Sequence, residues 1–304
     1  MFIRLMAFMI LFPCIANFSI AADVWFQNGK RDDIDDLVIE GEIEVGDFDK
    51  IEKEIFDFGP PIQSVFLYSP GGDAREAMRI GDLLRSLHLT TFSPDFSLEE
   101  YRKDRSTLSP ACEGSWKPLP KSSSNCTCNS ACFLIWLGGL ERRGVYVGVH
   151  RPVFDANSYS SMSSQQAEAA YQDMIDAIGV YLEKYDVPQD IVEKMLNTPS
   201  HEIHGVWAEK LGGFAAFYDE RLTAMCGVES SNSGRIELLM SKKNEGRITA
   251  KEEKELAAFQ PEHESNLQIK KCRTTQYIFK DRLQAFERYF GPGYIEQWIE
   301  RRRQ

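Results

Sequence analysis

Three short stretches carry the residue types that acyl-transfer chemistry needs. Ser69-Pro70-Gly71-Gly72-Asp73 follows an apolar run, Cys128-Asn129-Ser130-Ala131-Cys132 opens another, and Gly148-Val149-His150-Arg151-Pro152 lies shortly downstream. A Pro-Gly-Gly turn between a strand and a helix leaves backbone amides free at the helix N-terminus, where they suit an oxyanion. Ser130 offers a hydroxyl at the start of an apolar helix, and His150 an imidazole at a strand end, where α/β folds place ligands. Each signal has an ordinary structural counterpart: a tight βα turn, a helix-capping serine, a histidine that merely packs. A serine hydroxyl is a weak nucleophile without a base, so Ser130 and His150 acquire meaning as a pair.

The elements that must hold these residues follow from apolar periodicity. Residues 37–43 read as a strand, and residues 46–58 as a helix with Phe48, Ile51, Ile55 and Phe58 at helical spacing. A strand at 64–68 runs into the Ser-Pro-Gly-Gly turn. A helix over 73–88 follows, with Ala77, Ile80, Leu84 and Leu87 on one face, then a strand at 89–92. Strand, helix, strand, helix, strand implies parallel pairing with right-handed crossovers, hence an α/β layered domain. Further along, the spacing predicts a helix over 130–137, a strand over 145–149, a long amphipathic helix over 164–185 and a helix from Pro188 through Leu196. A short helix over 207–211 and a closing strand over 214–218 complete the domain.

The first 22 residues have the form of an export signal: Arg4, an apolar run from Leu5 to Ile20 broken by Pro13, and a small-residue site at Ser19-Ile20-Ala21. Cleavage is expected near Ala21 or Ala22, and the location is periplasmic or otherwise exported. The remaining Cys112, Cys126, Cys128, Cys132, Cys226 and Cys272 then lie in an oxidising compartment, where disulfides persist. The expected pairs are Cys112 with Cys126 or Cys128, and Cys226 with Cys272. Cys128 and Cys132 lie one helical turn apart and read as packed thiols or as a local disulfide. Cys132 is a poor nucleophile, because burial raises a thiol's pKa. The spacing of Cys126 and Cys128, without nearby histidines, argues against zinc, and no other metal or cofactor is called for. Residues 93–128 form a Cys-containing insertion, longer than an ordinary connection. Residues 227–304, with a capping box at Thr249-Ala250-Lys251-Glu252, form a helical C-terminal extension behind a 23–226 domain. A formal net charge of -11 gives no basic footprint for nucleic acid.

The order Ser69-Pro70-Gly71-Gly72, Ser130, Val149-His150-Arg151-Pro152 resembles the ClpP/crotonase superfamily, and more closely its exported ClpP-like members. The resemblance covers roughly residues 35–220. It implies a layered fold of repeated β-β-α and βα units, with Ser130 as nucleophile, His150 as base, and the Gly72 and Ala131 amides as oxyanion donors. The family's third triad member is an aspartate; the corresponding stretch here, Asn197-Thr198-Pro199-Ser200-His201-Glu202, contains none. Glu202 is the candidate to orient His150, with Asn197 as the uncharged alternative.

These observations lead to the expectation of a periplasmic serine hydrolase, a peptidase acting through an acyl-enzyme on short or unfolded polypeptides. It would need no cofactor and has no evident ATPase partner. The alternative is a catalytically inactive ClpP-like scaffold or binding protein. The resemblance also implies a homo-oligomer, either a trimer or a ring. A crotonase-like acyl-CoA enzyme fits export poorly, and no lysine is placed to replace His150 as base.

Overall fold

The computed structural model describes residues 21–28, 35–94, 120–122, 126–153 and 162–303. Residues 1–20, which hold most of the expected export signal, lie outside that range, as does most of the 93–128 insertion with Cys112. The chain is mixed α/β. A six-stranded sheet is built from β1 (Asp23–Asn28), β2 (Asp35–Glu40), β3 (Ile62–Tyr68), β4 (Thr90–Phe92), β5 (Glu141–Arg143) and β8 (Gly213–Phe214). β2, β3, β4 and β5 pair in parallel, and β1 and β8 close the two edges antiparallel. A separate antiparallel pair joins β6 (Tyr146–Val149) to β7 (His204–Trp207).

Alternation along the strands explains both layers. Leu37, Ile39, Val65 and Leu67 face the main core under α1 (Asp47–Phe58), α2 (Ala74–Ser86) and α3 (Ala131–Leu137). Val38, Phe66, Tyr68 and Phe92 face the other side, with Cys126 packed on them. A sheet buried on both faces yields strands of unbroken apolar character, as at Val65-Phe66-Leu67-Tyr68. α4 (Ser164–Lys184) and α5 (Gln189–Asn197) add Ile178, Leu182, Ile191 and Met195 to the first layer. α4 begins with a capping box between Ser163 and Gln166.

Near the C-terminal end of the sheet the structure departs from the periodicity. The expected strand over 214–218 is only Gly213–Phe214, and α6 (Ala216–Cys226) takes over. A short apolar run does not distinguish strand from helix, and here Tyr218 is drawn into a helix by its hydroxyl's bond to buried Asp281, 2.6 Å. Trp207 belongs to β7, leaving a single 3-10 turn at Ala208–Lys210. β5 escaped notice because Glu-Arg-Arg looks exposed. Glu141 instead pairs with Arg143 at 2.6 Å, and the Arg142 guanidinium lies 6.0 Å over the Trp136 ring.

Cys226 is bonded to Cys272, as the sequence predicts, and Cys128 to Cys132. The second bond removes the alternative of Cys112 with Cys128: two cysteines one turn apart, 5.1 Å between Cα atoms, reach each other first. Cys126 is also disulfide-bonded. These bonds suit an oxidising environment. Among the described residues, no helix is long and apolar enough to cross a membrane.

The C-terminal helices are α7 (Ser233–Asn244), α8 (Ala250–Ala258), α9 (Gln260–Thr274), α10 (Arg282–Phe290) and α11 (Tyr294–Arg303), with a π-helical stretch over Thr275–Asp281. α8 opens with the predicted capping box. α10 and α11 pack into the main core through Phe286 and Tyr294. Arg282, 1% exposed, donates to the carbonyls of Ile62 at 2.9 Å and His88 at 3.3 Å. Those acceptors satisfy a cation that water cannot reach.

Candidate active site

Three isolated bridges tie the sequence motifs together. Ile43 pairs with Gly72, Ser69 with Cys128, and Asn129 with Gly148. The Ser-Pro-Gly-Gly turn is held from below by its own serine, whose Oγ accepts the Gly71 N–H at 3.1 Å. From above, Ile43 N–H donates to Gly71 O at 2.8 Å and Ile43 O accepts from Asp73 N–H at 2.7 Å. This pattern skips the Gly72 N–H, which has no hydrogen-bond partner among the described residues. Asp73 then caps α2, accepting from Glu76 N–H at 2.8 Å.

Both glycines of the turn are sterically required. Gly71 has φ 121°, and a Cβ there would lie 2.7 Å from Ser130 Cβ. Gly72 has φ 132°, and a Cβ there would lie 2.1 Å from Ile43 O.

Ser130 has φ 55° and ψ -119°, a conformation that non-glycine residues rarely adopt. Its N–H donates to Gly148 O at 2.8 Å, and Asn129 N–H donates to Ser69 O at 3.1 Å. Pulled between two strand ends, the backbone turns sharply before α3 starts. Ser130 makes no side-chain capping bond, so its hydroxyl is not spent on the helix. The Ala131 N–H, first in the helix, is also without a partner among the described residues. The Cys128–Cys132 disulfide spans this turn, with Ser130 at its midpoint.

His150 follows β6 directly. Its Nδ1 lies 2.8 Å from Arg151 O. A carbonyl only accepts, so Nδ1 carries the hydrogen and Nε2 is left as the ring's acceptor. Arg151 N–H donates to Thr198 O at 3.0 Å, which fastens this strand end to the end of α5.

Ser130, Ala131, Gly72 and His150 all line one cleft of about 700 Å³. Ser130 and His150 are not hydrogen-bonded to one another; such bonds often tighten only when substrate is bound. Glu202 and Asn197 do not line the cleft. The Glu202 carboxylate is 61% exposed and lies 3.6 Å from His201 Nε2, and Asn197 is the exposed last residue of α5. Among the described residues, the group that orients His150 is the Arg151 carbonyl.

Sequence reasoning missed several cleft residues. Met174 and Ile178 read as core positions of a long helix and Met195 as part of the next; all three face the cleft with Leu134. Ile43 gave no signal beyond strand periodicity, yet it clasps both sides of Gly72. The rim carries Glu42, Glu44 and Asp73 against Arg75. Among the described residues no cluster of His, Cys, Asp or Glu is placed to hold a metal ion. Comparison with family models, curated proteins and solved structures finds no match to this chain.

Proposed function

We propose that this chain is an exported serine hydrolase of the ClpP/crotonase kind, a peptidase that works without ATP. The observation that carries the reading is Ser130: a serine held at φ 55° with its hydroxyl uncapped, flanked by the unpaired amides of Gly72 and Ala131, in one cleft with His150. Backbone strain of this sort costs about 1–3 kcal/mol and persists where the surrounding structure imposes it.

The chemistry follows from the donors and acceptors. His150 Nε2 takes the Ser130 proton as Oγ bonds to the substrate carbonyl carbon, and the carbonyl oxygen becomes an oxyanion between the Gly72 and Ala131 N–H groups. Collapse of the tetrahedral adduct breaks the C–N bond, and the imidazolium returns its proton to the leaving amine. Water, deprotonated by His150, then releases the acyl group and restores Ser130. The Arg151 carbonyl fixes the tautomer but supplies no full charge to the imidazolium. This orients the base more weakly than a buried carboxylate would.

The cleft's polarity suggests the substrate. Met174, Met195, Leu134 and Ile178 offer an adaptable apolar wall, suited to varied apolar side chains of short or unfolded polypeptides. The family resemblance further suggests a trimer or ring, which light scattering would test.

The test is covalent. A fluorophosphonate is expected to label the folded protein at Ser130, to fail with Ser130→Ala, and to react at least about 10²-fold more slowly with His150→Ala. A folded protein that takes no label removes the reading. The alternative, a non-catalytic peptide-binding scaffold, draws on the exposed Glu202 and on the lack, among the described residues, of a carboxylate partner for His150. It predicts peptide binding that survives Ser130→Ala, with no labelling.

A further inference from the structure

The amide of Ala22 sits where an ammonium would fit. It donates to Asp47 Oδ2 at 3.2 Å inside the fold, with Ala22 fully buried and Asp47 2% exposed. The same oxygen accepts the Glu44 N–H at 2.8 Å, and Lys50 Nζ donates to the Ala22 carbonyl at 2.6 Å. These neutral donors and one lysine leave the buried carboxylate under-compensated. Burial pushes the Asp47 carboxyl above its ordinary range, with Glu44 adding to the effect, against the Glu44 and Ala22 N–H bonds and Lys50.

Asp47 is also linked to the anion cradle. Glu44, held by Asp47, follows Ile43, whose N–H and C=O clasp Gly71 and Asp73 on either side of Gly72. Residues 42–45 form one wall of the cleft that contains Ser130. A shift of this strap would carry Gly72 with it, because backbone atoms of Ile43 fill the space where a Gly72 side chain would be.

The small-residue site Ser19-Ile20-Ala21 ends one residue before Ala22. We propose that hydrolysis of the Ala21–Ala22 bond by a signal-cleaving peptidase, in which water leaves its oxygen on the Ala21 carboxylate and its two hydrogens on the Ala22 nitrogen, converts the Ala22 amide into an α-ammonium that pairs with Asp47, and that this internal ion pair locks the Ile43–Glu44 strap and the Gly71-Gly72 turn into the anion-receiving form. Cleavage one residue later would discard Ala22, a member of the main core cluster, so the geometry selects the earlier bond. Asp47 is then a positioning residue. The ion pair stands independently of catalysis; its effect at Ser130 rests on the hydrolase reading above.

Two forms of the mature chain separate these claims: one beginning at Ala22 with a free amine, one carrying Gly-Ser before Ala22. Each is also made as Asp47→Asn, which still accepts hydrogen bonds but bears no charge. Amide hydrogen exchange at Ile43, Glu44 and Asp73 is expected to be about tenfold slower with the free amine, with faster fluorophosphonate labelling of Ser130. Asp47→Asn is expected to abolish the difference between the two forms. Equal exchange in both forms, or a difference that persists in Asp47→Asn, overturns the proposal. An exchange difference that depends on Asp47, with no labelling of either form, upholds the ion pair and removes the hydrolase reading. N-terminal sequencing of the exported protein should begin at Ala22; a start at Asp23 overturns the proposal.

Discussion

Replacing Ser130 by glycine should make the protein more stable while destroying its reactivity. Ser130 holds φ 55° and ψ -119° because its N–H is bound to Gly148 O on one side and Asn129 is bound to Ser69 on the other. A non-glycine residue in such a region costs about 1–3 kcal/mol. Glycine removes that cost and surrenders about 0.5–1 kcal/mol to the greater freedom of its unfolded chain. The hydroxyl caps nothing, so its loss subtracts little. Ser130→Gly should therefore gain about 1 kcal/mol, a rise in Tm of roughly 2 °C for a chain of this size. Ser130→Ala keeps the Cβ and its strain, and should stay within about 0.5 kcal/mol of the parent. Both substitutions should abolish fluorophosphonate labelling. Calorimetry of the three proteins with disulfides intact measures the difference. If Ser130→Gly is no more stable than Ser130→Ala, the backbone is not strained there and the reasoning that singles out Ser130 fails.

Other perturbations test other parts of the structure. Gly71→Ala places a methyl 2.7 Å from Ser130 Cβ and should slow labelling at least about 10²-fold, as expected for misplaced reacting groups; unchanged labelling would mean that the turn and Ser130 are not in contact. Burial, reinforced by the Arg288 charge, depresses the His88 pKa from 6.5 to about 4. The unfolded chain therefore binds the extra proton first, and stability should fall as pH drops from 6.5 towards 4. His88→Asn suits the φ of 57° and should flatten that slope in urea titrations; an unchanged slope would assign it elsewhere. Arg282→Met strips the Ile62 and His88 carbonyls of their buried donor and should cost about 3 kcal/mol or more in chemical denaturation. A loss under 1 kcal/mol would show that α10 docks by its apolar face alone.

What the sequence disclosed, and what it concealed, divides along physical lines. The parallel βαβ succession from Leu37 to Phe92 was readable because the apolar residues repeat at the periods of strand and helix. Ser130 at a helix start and His150 at a strand end were readable from local order. The conformation of Ser130 was not, since it is imposed by Gly148 and Ser69, residues far away in the chain. The orienting partner of His150 was concealed for a different reason: every residue has a carbonyl, so a backbone acceptor such as Arg151 O leaves no compositional trace. β5 and Arg282 misled in the same way as each other. Charged side chains signal solvent; in β5 backbone pairing with β4 and β8 overrules that signal, and at Arg282 bonds to the distant carbonyls of Ile62 and His88 do. In the C-terminal region, the Thr249–Glu252 capping box announced a helix correctly, while nothing local indicated that later helices dock against α1.

That docking sets a limit on the order in which the fold can be completed. Tyr294 hydroxyl donates to Phe56 O at 2.8 Å and Trp298 Nε1 to Phe58 O at 2.7 Å, contacts 238 and 240 residues apart in the chain. A polypeptide threaded N-terminus first, through a ribosome or a translocation pore, therefore has α1 available almost at once, but no C-terminal helices to cover it until the last dozen residues emerge. Closing so long a loop is slow and entropically costly. Until then Phe56 lacks its ring contacts with Phe290 and Tyr294, and the end of α1 remains an open apolar edge. The last pieces of its main core, Phe286 and Tyr294, are added only once the far end arrives.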